Sequence, residues 1–345
     1  MAVTIHDVAH RAGVSVSTVS RALALPDLVR ASTRQRVLVA AAELGYQPNR
    51  AARGLVTGRT GTVGVVVPDV ENPFFGSVLK GVHGRAREGG QVVFLADTAE
   101  DARVEAEVVA AMVRQVDGVV LCSPRLPDEE LHRAAGGVPV VLVNRAAPGL
   151  PGVLMDAADG VRQAVEHLAA LGHRRVAHLT GPRASWSSGE RLRGLRAAAP
   201  ALGVRAVELG PFPPTFEGGL AAADLALASG ATGVLAYNDL VALGVLSRLA
   251  ARGVAVPAEV SVVGFDDTRA SATSTPALST VRMPTREAGR AAVELLLDLL
   301  DRPGASPAAV RAPLPTQLVV RASTAPPPGA APGAAPGLDV LEPTG

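Results

Sequence analysis

The sequence predicts an α/β protein with a small helical head and a larger core of two doubly wound parallel-sheet lobes. Residues 4–45 show the apolar spacing of helices. From Thr62 onward, short β-rich runs such as TVGVVVP, DGVVLC and VSVVGFDD alternate mostly with longer helical stretches. Continuous apolar strands that alternate with helices indicate parallel sheets covered by helices on both faces. Roughly 260 residues of this pattern suffice for two lobes.

Three helices are predicted in the head. Thr4 can cap the first helix, with Asp7 as its capping-box partner three residues later. Ser15 can cap a second helix over residues 16–23, and a third helix is expected over residues 32–44, capped by its first serine. Two helices joined by a tight glycine turn and followed by a third are typical of a helix-turn-helix unit. The spacing alone fits an ordinary three-helix bundle equally well.

Changes in composition predict four segments. The head occupies residues 1–48, and a linker over residues 49–60 joins it to a core over residues 61–322. The remaining residues, 323–345, are rich in proline, glycine and alanine, which is typical of a disordered tail.

Charge is distributed unevenly along the chain. Residues 1–60 contain eight arginines but only three acidic residues, a net charge of +5, whereas the whole chain carries +1. A basic head on a mildly acidic body is the electrostatic pattern expected of a module that meets phosphate backbones.

Cysteine content and hydropathy indicate the compartment. Cys122 is the only cysteine, which excludes an internal disulfide and a cysteine-built metal site. The chain shows no export signal and no apolar run of the roughly 18 residues that a membrane span needs. We therefore expect a cytoplasmic protein without a membrane partner.

The second predicted helix carries short hydroxyl side chains that helix propensity does not explain. In a helix laid into the DNA major groove, short side chains at the N-terminal turns permit a close approach to base edges. Val16 and Ser17 then lead toward the bases, Thr18 and Ser20 face phosphates or base edges, and Arg21 reaches furthest.

Motifs along most of the chain resemble one known family. TIHDVAHRAGVSVSTVSRAL is followed by STRQRV, LGYQPNRAARGL, NPFF, HLAALGHRRVAHLTGP, RLRGLR, YNDLVALGVL, VPAEVSVVGFDD and PALSTVRMP. In this order and spacing they resemble the lac repressor/galactose repressor (LacI/GalR) family of bacterial transcription regulators. The resemblance covers residues 3–322. Each motif alone is weak evidence, but their shared order is specific.

The resemblance implies a homodimer whose two heads bind a pseudo-palindromic DNA operator, most often as a repressor. Val16 and Ser17 match the pair of positions that mainly sets sequence preference in the family. The candidate DNA contacts in the head are Ile5, His6, Val16, Ser17, Thr18, Ser20, Arg21 and Thr33.

The linker contains NRAARGL, which matches the hinge helix of the family. A hinge helix lies in the minor groove and inserts a leucine, here Leu55, between base steps. Helices shorter than about 12 residues are marginal alone in water, so this one is expected to fold only on DNA beside a partner hinge. Leu55 could instead be a buried linker residue. The candidate contacts are Asn49, Arg50, Ala52, Arg53 and Leu55.

The resemblance also implies a periplasmic-binding-protein-like core that binds a small effector between its lobes. The N-lobe is expected over residues 61–157 and 283–310, and the C-lobe over residues 158–282 and 311–322. Sugars need bidentate polar groups and an aromatic face, and Tyr237 and Phe265 also fall at predicted strand ends. The candidate effector contacts are Asn72, Phe74, Phe75, Trp186, Arg191, Phe216, Asn238 and Asp266.

Several of these residues fit a second role. Trp186 could be an ordinary packed tryptophan, and Phe212 competes with Phe216 for one cleft position. Asp266 could cap a helix after its strand, and Asp239 fits such a cap better than a ligand contact.

Two other functions are weighed against regulation. Phosphate-loop, dinucleotide-binding and GxSxG motifs are missing, and the histidines show no metal-binding spacing, so we expect neither catalysis nor a cofactor. A transport protein that binds a solute could be built on the same core, but the basic head favours a regulator. The sequence leaves open which sugar binds and whether it releases or promotes DNA binding.

Overall fold

The computed structural model describes residues 3–24, 28–46, 59–134, 136–302 and 313–329. The hinge candidates Asn49, Arg50, Ala52, Arg53 and Leu55 lie outside these ranges. The helices are α1 Ile5–Ala12, α2 Val16–Ala24, α3 Ala31–Leu44, α4 Pro73–Glu88, α5 Ala102–Met112, α6 Asp128–Ala134, α7 Ala157–Ala170, α8 Trp186–Ala201, α9 Phe216–Ala228, α10 Asp239–Ala251, α11 Arg269–Thr273 and α12 Thr285–Asp301. The strands are β1 Thr62–Val67, β2 Val92–Asp97, β3 Gly118–Cys122, β4 Val140–Val143, β5 Gly152–Val153, β6 Arg175–Leu179, β7 Arg205–Leu209, β8 Gly233–Ala236, β9 Ser261–Asp266, β10 Ser279–Arg282 and β11 Gln317–Val319.

The head folds as three helices around a small apolar core. The Asp7 carboxylate accepts hydrogen bonds from the backbone N–H and the hydroxyl of Thr4, both at 2.8 Å, which fixes the start of α1. Ser15 caps α2 by accepting from the backbone N–H of Thr18 at 3.2 Å. One valine from each helix, Val8, Val19 and Val37, is fully buried in this core.

The third helix begins one residue earlier than the sequence indicates. It starts at Ala31, and Arg30 occupies the N-cap position without a side-chain capping hydrogen bond. Ser32 therefore lies inside the first turn of α3 and does not replace the missing cap.

The N-lobe is built on a five-stranded parallel sheet in the order β2-β1-β3-β4-β5. Side chains along β1 alternate between the two faces, as the two-residue period of a strand requires. Val65 and Val67 pack into the core that includes α4 and α12, whereas Val66 packs into the core that includes α5 and α6. Helices thus cover both faces of the sheet.

The C-lobe is built on a six-stranded sheet in the order β11-β10-β9-β8-β6-β7. Only β11 runs antiparallel, against β10, and the other pairs are parallel. One face packs against α7 and α8, and the other against α9 and α10. The chain returns to the N-lobe for α12 after β10, and a parallel bridge between Met155 and Leu314 lies where the chain passes between the lobes.

The C-lobe extends beyond residue 322, so the predicted tail begins too early. Ser323 is fully buried; its hydroxyl donates to the carbonyl of Val262 at 2.6 Å and accepts from the backbone N–H of Ser279 at 2.8 Å. The backbone N–H of Ala325 donates to the hydroxyl of Ser261 at 3.0 Å. These hydrogen bonds order a segment whose composition alone predicts disorder. In the part of the chain described here, no helix is both long and apolar enough to cross a membrane.

We predict opposite effects of adding a methyl group at two glycines of α4. A Cβ at Gly81 would overlap the carbonyl oxygen of Arg286 in α12, whereas a Cβ at Gly84 meets nothing within 4 Å. Gly81→Ala should therefore reduce the free energy of unfolding by about 1–3 kcal/mol. Gly84→Ala, the matched control, should raise it by about 0.5–1 kcal/mol because alanine favours helix. Urea unfolding of both variants measures this, and equal stabilities would contradict the close packing of α4 on α12.

Candidate functional site

A cleft lies between the two lobes, where the carboxyl ends of the strands of both sheets meet. Ligands of open α/β sheets bind at this edge because the loops after the strands converge there. The lining atoms enclose about 310 Å³, part of it continuous with solvent. The lining residues are Asn72, Phe74, Phe75, Glu100, Ser123, Arg125, Asn144, Ser187, Arg191, Pro214, Tyr237, Asn238 and Asp266.

Arg191 of α8 forms the centre of the C-lobe wall. Its side chain is 3% exposed, and its guanidinium carbon lies 3.9 Å from the ring centroid of Phe265 and 4.7 Å from that of Tyr237. One terminal nitrogen donates to the carbonyl oxygen of Tyr237. Close contact with two aromatic rings and the hydrogen bond to Tyr237 restrict the guanidinium, so its donors point in set directions.

Asp266 lies beside Arg191, with 3.5 Å between its Oδ1 and the nearest guanidinium nitrogen. Burial raises the pKa of Asp266 well above its usual range, and the Arg191 charge offsets part of that rise. Asp266 is the last residue of β9 and has a left-handed φ of 117°. The cleft thus presents a fixed donor next to a buried carboxyl group.

Asn72 and Asn238 line the cleft as helix caps. Oδ1 of Asn72 accepts from the backbone N–H of Phe74 at 3.0 Å, and Oδ1 of Asn238 accepts from that of Val241 at 2.9 Å. The Asn238 amide also donates to the carbonyl of Pro214 at 2.9 Å, which holds the loop before α9 against the cleft. Both asparagine side chains therefore line the cleft and also hold the neighbouring backbone in place.

Six of the eight candidate effector residues line the cleft, but Trp186 and Phe216 do not. Each is the first residue of a helix, and Phe216 is 38% exposed. Successive helix residues are rotated by about 100°, so the residue after Trp186 faces the cleft while Trp186 itself does not. Ser187 and Pro214 line the cleft in their place.

Sequence reasoning missed Glu100, Ser123, Arg125 and Asn144 on the N-lobe side. Three of them have a left-handed φ, 61° at Glu100, 45° at Ser123 and 58° at Asn144. Residues other than glycine rarely adopt this backbone conformation, because it costs about 1–3 kcal/mol. The strands that end just before Ser123 and Asn144 were the available signal in the sequence.

Arginine–carboxylate pairs surround the N-lobe side of the cleft. Arg125 donates to both carboxylate oxygens of Glu100, at 2.6 and 2.9 Å, and to the carbonyl of Ser123 at 2.7 Å. Arg145, next to Asn144, pairs with Asp128 at 2.6 Å. The bidentate pairing of Arg125 with Glu100 fixes both side chains.

Asp239 is a buried cross-link and not the helix cap that the sequence indicated. Its carboxylate accepts from the backbone N–H and hydroxyl of Thr268, at 2.7 and 3.0 Å, and from the hydroxyl of Thr280 at 2.6 Å. It thereby joins the start of α10 to β10 and the loop after β9. Burial raises its pKa to about 6.

The head presents hydroxyl groups and Arg21 on the surface of α2. Ser17 and Arg21 are exposed and lie one turn apart, and the Arg21 side chain donates to the carbonyl of Ser17 at 3.3 Å. Ile5 and Val16 are partly buried and pack against the core of the head. Of the remaining head candidates, His6 is exposed, and the partly buried ones are Thr18, Ser20 and Thr33.

A basic three-helix head joined to a two-lobed core with an interlobe cleft defines a DNA-binding regulator of transcription. Residues 4–49 match the model of bacterial regulatory proteins of the lacI family, and residues 165–324 match a periplasmic binding protein-like domain. The chain belongs to the LacI family.

Two relatives show how far the similarity extends. The chain is 36% identical to the transcriptional regulator GalS of Salmonella typhimurium over 303 residues, which cover 86% of this chain and 89% of GalS. It is 37% identical to the regulator CelR of Thermobifida fusca over 344 residues, 93% of this chain and 98% of CelR.

Two solved structures resemble the whole described fold. A lac repressor dimer bound to operator and the anti-inducer ONPF superimposes with a TM-score of 0.82 at 29% identity, over 94% of this chain and all of the lac repressor chain. A CelR–cellobiose complex gives a TM-score of 0.69 at 34% identity, over 93% and 99% of the two chains.

We predict that ionisation of Asp239 destabilises the fold. Between its ordinary pKa of 3.8 and about 6 the native carboxyl keeps a proton that the unfolded chain has lost. The contribution of Asp239 to the free energy of unfolding therefore falls as pH rises from about 4 to about 6 and above. Measured by urea unfolding, the stability of the wild type relative to Asp239→Asn should fall by about 2 kcal/mol from pH 4 to pH 7.

Asp224→Asn provides a control of opposite sign. A hydrogen bond from Arg248 lowers the pKa of Asp224, so the wild type should gain stability relative to this variant as pH rises. If the difference in free energy of unfolding between the wild type and Asp239→Asn does not change with pH, ionisation of Asp239 does not destabilise the fold.

Proposed function

We propose that this protein is a homodimeric repressor that binds a pseudo-palindromic operator, and that a sugar bound between the lobes controls its affinity for DNA. The observation that carries the effector proposal is the fixed pair of Arg191 and Asp266 in the cleft wall. A donor and an acceptor side by side match the two hydroxyl groups of a vicinal diol, which can each accept and donate.

Aromatic rings supply the second requirement of a sugar site. Phe74 and Phe75 line the cleft from the N-lobe, with their ring centroids 5.0 Å apart and their planes at 86°. Such rings offer an apolar face to the C–H side of a pyranose or furanose. The proposal is also supported by the CelR complex with cellobiose and by an Enterococcus faecium LacI-family regulator with bound ribose.

The operator proposal rests on the head and on its relatives. The exposed hydroxyl side chain of Ser17 and Arg21 form one face of α2, and the whole head is basic. A dimer is favoured by the edge strand β2, where Phe94 and Leu95 are 43% and 44% exposed and a second copy of the chain can cover them. The lac repressor dimer on its operator has the arrangement that we propose.

The linker over residues 49–60 transmits the effector signal in this proposal. The backbone N–H groups of Thr60 and Gly61 donate to the carboxylate of Asp117, at 2.6 and 2.8 Å. The end of the linker is thereby tied to the N-lobe, so a change in lobe orientation alters where two linkers start. We propose that Leu55, which lies outside the described residues, reaches the minor groove only when the two starts are correctly spaced.

The proposed organisation follows from these roles. Residues 1–48 bind DNA, residues 61–322 bind the effector and dimerise with the lobe limits given above, and the C-lobe includes residues 323–329 as well. We propose that the protein acts in the cytoplasm, where its DNA target lies, without catalytic activity or a cofactor.

We predict that Arg21→Ala abolishes operator binding at physiological salt. Each lost contact should cost about 1–3 kcal/mol, and a dimer loses it twice. Gel shifts on promoter fragments near its own gene measure the affinity. Arg11→Ala is the matched control, because Arg11 pairs with Glu43 within the head at 2.6 Å and should matter less. Unchanged affinity of the Arg21 variant would rule out the placement of α2 in the groove.

We predict that Asp266→Ala retains operator affinity but no longer responds to the effector. The variant removes the acceptor beside Arg191 and leaves the head untouched. The measurement is operator affinity with and without each sugar to which the wild type responds. Asp224→Ala, an exposed C-lobe carboxylate outside the cleft, is the control and should respond normally. A normal response by the Asp266 variant would show that the effector binds elsewhere.

A further inference from the structure

The buried arginines around the cleft each have a carboxyl partner within the chain. Arg125 is held by both oxygens of Glu100, and Arg191 lies against Asp266. Arg145 is paired with Asp128 behind the lining of the N-lobe. An anionic ligand bound here would have to separate one of these pairs or lie against its carboxyl group, and both are costly where the side chains are buried.

A further carboxyl group, that of Glu105, lies beside Arg125, and burial raises its pKa. Glu105 is 2% exposed, and its Oε2 accepts from the backbone N–H of Arg125 at 2.7 Å. Its Oε1 has no hydrogen-bond partner in the part of the chain that the structure describes. The N-lobe side therefore holds three carboxyl groups, Glu100, Glu105 and Asp128, for the two guanidinium groups of Arg125 and Arg145. It offers no spare positive charge to a phosphate.

Helix N-termini, the other common anion site, are partly occupied here by the chain's own side chains. Helices α4, α8 and α10 all begin at the cleft, and their first N–H groups could attract an anion. The side chain of the N-cap residue already accepts from the first turn in each case: Asn72 from Phe74, Ser185 from Ser188 at 3.2 Å, and Asn238 from Val241.

We propose that the cleft selects an uncharged polyhydroxylated ligand and discriminates against its phosphorylated or carboxylated counterpart. This inference rests on the proposed effector function and narrows it. The donors available to a ligand are those of the Arg191 guanidinium, and the Asp266 carboxyl group lies beside them. A carboxyl oxygen can accept a hydrogen bond from a sugar hydroxyl, whereas a phosphate dianion has no proton to donate to it. Glu100 is the residue that sets this selectivity, because its charge cancels that of Arg125 in the lining.

The first test compares neutral sugars with their phosphates by isothermal titration calorimetry on the full-length protein. Suitable pairs are glucose with glucose 6-phosphate, ribose with ribose 5-phosphate, and cellobiose with its 6-phosphate. We expect every phosphate to bind at least about tenfold more weakly than its neutral parent. A phosphate that binds as tightly as its parent overturns the inference.

The second test uses Glu100→Gln, which keeps the shape of the side chain but leaves the Arg125 charge unmatched. We expect this variant to bind inorganic phosphate at least about tenfold more tightly than the wild type, as measured by calorimetry. Glu88→Gln is the matched control: it breaks an equally bidentate pair with Arg290, at 2.7 Å twice, on the exposed surface, and should gain nothing. No gain in the Glu100 variant overturns the inference.

The two tests separate the inference from the proposed function. A phosphate that binds the wild type tightly and changes operator affinity contradicts only the charge selectivity. If none of the tested sugars or phosphates changes operator affinity, the sugar effector proposal fails, while phosphate binding by Glu100→Gln still decides the role of Glu100.

Discussion

The cleft depends on the contact between the Arg191 guanidinium and two aromatic rings. The guanidinium is contributed by α8, yet its partners are the ring of Phe265 in β9, the ring and carbonyl of Tyr237 after β8, and the carboxyl group of Asp266. A buried charge is costly unless it is well paired, and here the partners come from two separate segments, the end of β9 and the residue after β8. The same contact that stabilises the arginine therefore fixes the relative positions of the loops that form the C-lobe wall.

The N-lobe also buries an arginine charge, but it pairs that charge differently. Arg125 is held by Glu100 and Ser123, so its guanidinium closes the lining and adds no net charge. One wall thus offers donors and acceptors to a ligand, and the opposite wall offers the rings of Phe74 and Phe75 beside a neutral pair. A ligand that touches both walls gains most when the lobes close. In the proposed mechanism, lobe closure moves the start of the linker, because Asp117 ties Thr60 and Gly61 to the N-lobe.

The sequence predicts the fold well because its signals are local. β-Rich runs separated by helices determine parallel strands, and the capping roles of Asp7 and Ser15 in the head are confirmed by the structure. The family resemblance supplied the cleft residues that follow motifs, such as Arg191 and Asp266. Trp186 and Phe216 do not line the cleft, because a single step along a helix turns a side chain by about 100°, which motif matching does not resolve. Composition places Ser323 in the tail. Its hydrogen-bond partners are distant in sequence, so no local signal indicates that it is ordered.

Three of the four N-lobe residues that sequence reasoning missed share a backbone property. Glu100, Ser123 and Asn144 follow strands in left-handed conformations, and Asp266 ends β9 in a positive-φ conformation as well. Each such residue costs about 1–3 kcal/mol, which the packed sheets around it must offset. The strain directs polar side chains from four different loops into one space before any ligand arrives. Binding energy is then not spent on ordering these loops, and more of it remains to shift the balance between lobe orientations.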